Sequence, residues 1–123
     1  DGDVLLHAIC DALLGAIAEG DLGEHFPDTD PKYHGICSVE LLKIVMDLVK
    51  KKGYGISNID AVVVAEEPML TPFKKQIKER IASVLMISEE SVNIKAKTNE
   101  GLGELGKKEA IASFAVTILS KGE

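Results

Sequence analysis

The sequence predicts an α+β fold, a two-layer sandwich in which helices cover one face of a small mixed β-sheet. Three segments carry apolar residues at helical spacing, and three others carry β-branched or alternating runs. Their order is helix, loop, helix, strand, helix, strand, strand, which favours helices gathered on one side of a short sheet. The 123 residues suffice for one core, so we expect a single domain over residues 1–123.

Composition and charge exclude several classes of function. The formal net charge is -6, and aromatic residues make up 4% of the chain. This balance argues against a nucleic-acid footprint, stacking platforms for bases, or attraction to an anionic membrane. We find no apolar run long enough to cross a bilayer and no basic-then-apolar leader. An anionic substrate therefore needs a metal, backbone amides or a few local cations.

The first helix is predicted from the start of the chain to about Gly20. Its polar stripe places Asp3, His7 and Asp11 four residues apart, so one imidazole lies between two carboxylates. This arrangement suits a metal ligand or a proton-transfer group. A merely solvated helix face is the alternative.

An irregular segment follows at residues 19–35, rich in Gly, Pro and Asp. Loops of this length are usually functional or disordered, and Phe26 and Tyr33 favour an ordered one. Its carboxylates either bind a metal or sugar hydroxyls or cap turns. The carboxylates are Asp21, Asp28 and Asp30. We expect His25 and His34 to be surface residues.

The middle of the chain predicts a helix at residues 38–52, a turn at residues 55–58 and a buried strand at residues 59–65. Another helix starts at Thr71-Pro72 and continues to Leu85. The connection at residues 66–70 lies between a strand end and a helix start, where free N–H groups suit a ligand's polar edge.

The last third predicts a half-buried strand at residues 92–97, a glycine-rich loop at residues 98–108 and a closing strand at residues 110–120. Thr98 and Glu100 lie at the mouth of that loop. We expect the sheet face opposite the helices to carry small and hydroxylated residues and to be able to pack against a second copy. The face is represented by Ser113, Ala115 and Thr117. Cys10 and Cys37 fit neither a disulfide framework nor a metal motif, so we expect two buried thiols in a reducing compartment.

Four motifs together resemble the 2-C-methyl-D-erythritol 2,4-cyclodiphosphate synthase family. They occur in the family's order along the whole chain. They are Asp-Gly-Asp-Val-x-x-His-Ala-x-x-Asp-Ala-x-x-Gly at residues 1–15, Gly-Asp-Leu-Gly at residues 20–23, Phe-Pro-Asp-Thr-Asp-Pro at residues 26–31, and Lys-Ala-Lys-Thr-x-Glu at residues 95–100.

The resemblance implies a lyase of non-mevalonate isoprenoid biosynthesis that works as a homotrimer with active sites between subunits. The 2-phosphate of 4-diphosphocytidyl-2-C-methyl-D-erythritol 2-phosphate attacks the β-phosphorus, CMP leaves and a cyclic diphosphate forms. From charge and composition we expect no nucleic-acid or membrane partner. The implied location is the bacterial cytoplasm, or a plastid if the source is a plant or apicomplexan.

The resemblance also implies residue roles. His7 would bind a zinc-type ion, Glu100 a magnesium or manganese ion, and Thr98 would steady the transition state. The methylerythritol part would be held by Asp21, Leu22, Gly23, Phe26, Pro27, Asp28, Thr29 and Asp30. The cytidine part would be read by Ala65, Glu66, Glu67, Pro68, Met69, Leu70 and Thr71. The phosphate side would be formed by Lys97, Thr98, Asn99, Glu100, Glu104 and Lys107.

The chain departs from the family pattern at several positions. Met69 stands where many relatives carry lysine, Glu104 replaces a commonly apolar residue, and Lys107 keeps the charge of a frequent arginine without its bidentate fork. The family's N-terminal Asp-x-His pair and the His-Ser ahead of Asp1 do not occur in the sequence. We expect no cyclase activity without that segment. The alternatives are a trimeric metal-binding module without turnover and a metal-dependent phosphohydrolase in which water attacks.

Overall fold

A mixed sheet forms the frame of the molecule. The computed structural model describes residues 2–27, 29–33, 35–66, 71–107 and 110–122. Within them, three strands pair in the order β2-β1-β3. The strands are β1 at Tyr54–Val64, β2 at Val92–Lys97 and β3 at Ala112–Lys121. β1 runs parallel to β2 and antiparallel to β3, which confirms the predicted small mixed sheet of an α+β fold.

Helices pack on the sheet face that carries the buried strand residues Ile59, Ala61 and Val63. The long helices are α1 at Gly2–Ala16, α3 at Ser38–Lys51 and α4 at Lys74–Leu85. One-turn helices are α2 at Leu22–His25 and α5 at Gly103–Gly106, and 3-10 turns occur at Pro31–Tyr33, Thr71–Phe73 and Glu89–Ser91. None of the described helices is both long and apolar enough to span a membrane.

Apolar residues at helical spacing fix the core, as the sequence pattern predicts. Ile9 and Leu13 of α1 and Val45 of α3 are fully buried in one cluster with the sheet residues. Burial of each such side chain stabilises the fold by about 1.5–3 kcal/mol. The helix and sheet layers therefore share one core.

Several predicted bounds were wrong by a few residues. α1 ends at Ala16 rather than near Gly20, and β1 starts at Tyr54 rather than at residue 59. Residues 55–58 pair with β3 through an irregular register instead of forming a turn. The glycine that ends α3 explains the early start, because Gly53, at φ +87, turns the chain directly into the strand.

The prediction for the outer face of β3 was wrong. Ala115 pairs with Ala61, so it shares the helix-covered face, and Ser113 and Thr117 lie on that side as well. The exposed face carries Phe114, Val116 and Ile118, at 63%, 68% and 60% exposure. Small residues on the inner face fit the close packing of α1 on β3, and the bulky residues are left outside.

The two thiols differ, which corrects the prediction that both are buried. Cys10 in α1 is fully buried, whereas Cys37 precedes α3 and is exposed. Burial raises the pKa of the Cys10 thiol to about 12, with the charge of Asp11 adding to the effect. Cys10 is therefore a packing residue.

Candidate active site

The side chain of His7 lies against the start of α3. Its Nε2 atom is 3.1 Å from Ser38 Oγ, within hydrogen-bond distance. His7 is exposed, whereas Ser38 is only 6% exposed. The helix predicted from residue 38 does begin at Ser38, directly after Cys37, but the sequence pattern did not reveal the contact of Ser38 with His7. The hydroxyl of Ser38 is therefore available to orient one ring nitrogen, which leaves the other for a ligand.

A cavity of about 460 Å³ opens beside His7. It is lined by His7, Leu22, Gly23, Phe26, Gly35, Ile36 and Leu41. The structure thus brings the predicted metal ligand together with three predicted substrate residues. Sequence reasoning did not predict Gly35, Ile36 and Leu41 at the site. Gly35 and Ile36 follow the loop motif, and Leu41 belongs to the apolar stripe of α3, which predicts only a core position.

Asp11 and Asp21 shape the rim of this cavity through the backbone of α2. Asp11 Oδ1 accepts a hydrogen bond from the N–H of Leu22 at 2.8 Å, and Asp21 Oδ1 accepts one from Glu24 at 3.0 Å. Both carboxylates satisfy free N–H groups of a helix start. Of the two open interpretations of Asp21, the structure shows the capping contact, and its role toward a substrate stays a prediction.

Similar contacts hold other described residues of the loop. His25 Nε2 donates to the carbonyl oxygen of Glu19 at 2.6 Å, and Asp30 Oδ1 accepts from the N–H of Lys32 at 3.0 Å. Glu19 Oε1 also pairs with Lys52 Nζ at 2.6 Å, which lowers the pKa of the Glu19 carboxyl through a hydrogen bond and charge attraction. The loop is thereby tied to the end of α3. The predicted residues Pro27 and Thr29 belong to this stretch.

A second group of predicted residues gathers where β1 and β2 end. The N–H of Ala65 donates to the carbonyl oxygen of Lys97 at 2.9 Å, so the two predicted binding segments run side by side. Glu66 Oε1 accepts from the N–H of Asn99 at 2.9 Å and from that of Gly101 at 3.0 Å. Because 33 residues separate Glu66 from Asn99, local sequence patterns do not reveal this contact.

Thr98 and Glu100 are exposed on the loop that follows β2. The N–H of Glu100 donates to Thr98 Oγ1 at 3.3 Å, and Glu100 has a positive φ of 53°. Lys97, also exposed, ends the strand just before them. A hydroxyl, a carboxylate and an ammonium thus lie within four consecutive residues, a set suited to phosphate and to a cation bound with it.

The same loop then folds back on itself. A Cβ at Gly106 would clash with the backbone carbonyl of Gly101, so only glycine fits there. The close approach occurs at the last residue of α5. Glu104 is exposed on this helix, and Lys107 follows directly after it. Both side chains lie on the outer surface of the predicted phosphate-side loop.

Thr71, the last residue of the predicted cytidine segment, starts the 3-10 turn before α4.

Some predicted residues lie outside the described part of the chain. They are Asp28, His34 and residues 67–70, the last comprising most of the predicted cytidine segment. Among the residues that the structure describes, no group of three His, Cys, Asp or Glu side chains is close enough to hold a metal ion. His7 offers a ring nitrogen, a donor that suits a zinc-type ion, and Glu100 offers a carboxylate, a donor that suits magnesium. Their roles as ligands stay predictions.

Comparison with known proteins identifies the family. The sequence profile of the YgbB family matches residues 1–120. The chain belongs to the YgbB family. The resemblance stated from the motifs is thereby confirmed.

Two similar relatives carry the same name. A 2-C-methyl-D-erythritol 2,4-cyclodiphosphate synthase from Agathobacter rectalis is 58% identical over 120 residues, 98% of this chain and 68% of that protein. The protein of the same name from Syntrophus aciditrophicus is 50% identical over 123 residues, all of this chain and 77% of that protein. Motifs and overall sequence therefore point to the same enzymes.

Solved structures of proteins named IspDF and IspF are similar to this chain in fold and sequence. The bifunctional IspDF from Campylobacter jejuni matches 98% of this chain with a TM-score of 0.93 at 42% identity, and this chain spans 32% of that longer protein. IspF from Plasmodium falciparum, in complex with CDP, gives a TM-score of 0.86 at 35% identity over 98% of this chain and 72% of that one.

Proposed function

We propose that the protein is a cyclising lyase that converts 4-diphosphocytidyl-2-C-methyl-D-erythritol 2-phosphate into 2-C-methyl-D-erythritol 2,4-cyclodiphosphate and CMP. Family membership and relatives at 50–58% identity support this activity. The structural observation that carries it is the cavity in which His7 meets Leu22, Gly23 and Phe26, the residues expected at the metal and at the methylerythritol.

In the proposed reaction an oxygen of the 2-phosphate bonds to the β-phosphorus. The bond from that phosphorus to the bridging oxygen breaks, and the oxygen leaves on CMP. The cavity beside His7 would hold the methylerythritol with its 2-phosphate. The loop of Lys97, Thr98 and Glu100 would hold the diphosphate, with the ammonium and hydroxyl offsetting charge that builds up on the phosphate oxygens.

Divalent ions are part of this proposal. When bound, they would supply Lewis-acid charge that draws the two phosphates together. His7 would provide a ring nitrogen to a zinc-type ion, held in orientation by Ser38. Glu100 would provide a carboxylate to a magnesium or manganese ion at the diphosphate.

The cytidine would lie along residues 65–71. A CDP complex of a relative supports a cytidine nucleotide as ligand. The hydrogen bond from the N–H of Ala65 to the carbonyl oxygen of Lys97 supports one continuous nucleotide site. It sets the start of the proposed cytidine segment next to the phosphate-side loop.

We further propose a homotrimer with active sites between subunits. The exposed stripe of Phe114, Val116 and Ile118 supports an assembly through the outer sheet face, since large apolar patches rarely stay open to water. A cytoplasmic location is proposed from the bacterial sources of the relatives.

The test is ³¹P NMR of the full-length protein with the cytidine diphosphate substrate and Mg²⁺. We expect CMP and a cyclic diphosphate. CMP with a linear phosphate would instead indicate a phosphohydrolase, and no change would indicate a binding module. Glu100→Gln should abolish magnesium-dependent turnover, while Glu79→Gln on the exposed side of α4 should leave it unchanged.

A further inference from the structure

Glu66 joins two chain segments that are far apart in sequence. Its side chain starts at the end of β1, and a single oxygen, Oε1, accepts hydrogen bonds from the N–H groups of Asn99 and Gly101 at 2.9 and 3.0 Å. Glu66 is half-buried. The carboxylate that the resemblance assigned to cytidine is therefore already bound to the neighbouring loop.

The loop is shaped to present those two N–H groups. Glu100 and Gly101 both have positive φ, 53° and 78°, so the backbone curls around the oxygen. The amide side chain of Asn99 closes the curl by donating to the carbonyl oxygen of Leu102 at 2.7 Å. A concave backbone of this type is an anion-binding nest, and here its anion is a side chain of the same protein.

We propose that Glu66 is a positioning residue for the phosphate-side loop. It cross-links the loop to the end of β1 and so holds Thr98 and Glu100 in their orientation before a nucleotide arrives. The role toward the diphosphate rests on the proposed function, whereas the cross-link itself does not. Glu66 acts through the loop and does not touch the reacting phosphorus.

Pre-shaping matters because an ordered loop loses less conformational entropy when a ligand binds. Without an acceptor, the N–H groups of Asn99 and Gly101 would lose their partner, and the backbone would relax toward water. Thr98 and Glu100 lie on either side of Asn99, so their side chains would lose their fixed direction. The opposite role would be that the Glu66 carboxylate merely occupies an anion-binding nest that a phosphate would otherwise fill. In that case removal of the carboxylate should strengthen anion binding.

The cross-link is tested by amide hydrogen exchange of the ligand-free protein, measured by NMR. Glu66→Ala should speed exchange of the Asn99 and Gly101 amides roughly tenfold, since their acceptor is lost. Glu66→Gln keeps an acceptor oxygen in the same place and should leave exchange near the wild-type rate. Unchanged exchange of Val63 in β1 confirms that the variants are folded. Equal rates in the wild type and Glu66→Ala would overturn the cross-link.

The role toward the ligand is tested by calorimetric binding of CDP and CMP to the full-length protein with Mg²⁺. Glu66→Ala should weaken CDP binding roughly tenfold and CMP binding much less, because the loop is proposed to hold the diphosphate and would have to be ordered on binding. Glu66→Gln and the surface control Glu79→Ala should bind both as the wild type does. Tighter CDP or pyrophosphate binding by Glu66→Ala, or equal losses for CDP and CMP, would overturn the positioning role. Failure of the wild type to bind CDP would instead contradict the proposed function, and the exchange rates would still decide the cross-link.

Discussion

Ser38 Oγ lies 3.1 Å from Nε2 of His7, so the buried hydroxyl contacts this ring nitrogen and leaves Nδ1 without a contact to Ser38. If Nε2–H donates to Ser38, the lone pair of Nδ1 is free for a metal, because a neutral imidazole carries its proton on only one nitrogen. In that arrangement a buried hydroxyl at the start of α3 would hold the imidazole of a residue on α1 with Nδ1 left for the metal.

We predict that Ser38→Ala lowers the zinc affinity of the full-length protein by about tenfold, the lower end of such losses. The ¹⁵N shifts of the His7 ring in the metal-free protein should move toward a mixture of tautomers. Ser83→Ala, an exposed serine on α4, is the matched control and should change neither quantity. Unaltered affinity and ring shifts in Ser38→Ala would show that Ser38 is only a packing residue.

The exposed stripe on β3 predicts how the assembly can be broken. Val116 is 68% exposed and lies between Phe114 and Ile118 on the outer sheet face. We expect Val116→Glu to reduce the proposed trimer to monomers, because each subunit would then have to bury a charge in place of a valine. Burial of that valine would favour assembly by about 1.5–3 kcal/mol.

Light scattering coupled to size-exclusion chromatography measures the result as a mass. Met86→Glu is the control, since Met86 is 80% exposed but lies at the end of α4. A Val116→Glu protein that keeps the trimer mass would remove the outer face of β3 from the interface.

Periodicity predicted the helices, strands and core of this protein because each depends on neighbours along the chain. It did not predict which side of β3 faces the helices. Alternation separates Phe114 from Ala115, but it does not say which of them is inside. That choice depends on α1, whose close approach fits Ala115 and Ala61.

In the candidate site, too, local patterns predicted some residues and missed those whose contacts depend on packing. The motifs found His7, Leu22 and Thr98 because these residues recur in fixed local patterns. Ser38 and the contacts of Glu66 escaped notice, since they join parts of the chain that are 31 to 35 residues apart. Contacts of that range are set by packing of the sheet and helices.

The two thiols should differ in reactivity. Cys10 is fully buried with a pKa raised to about 12, so almost none of it is thiolate at pH 8. Cys37 is exposed. We predict that iodoacetamide at pH 8 modifies one thiol of the native protein and both in denaturant, as counted by mass spectrometry. Cys37→Ser should leave the native protein unmodified, and any rapid labelling of that variant would show that Cys10 is accessible.

Met86 ends α4 in a left-handed conformation, at φ 58° and ψ 43°, which disfavours a residue with a Cβ. Glycine removes that strain, although it gains more entropy in the unfolded chain. We therefore expect Met86→Gly to raise the free energy of unfolding by about 0.5–1 kcal/mol, a net of these two effects. Urea denaturation at one fixed protein concentration measures it, because assembly shifts the midpoint. Met86→Ala removes the same exposed side chain but keeps the Cβ, so its midpoint should stay near the wild type. Equal stabilisation by alanine and glycine would show that the backbone at residue 86 stores no strain.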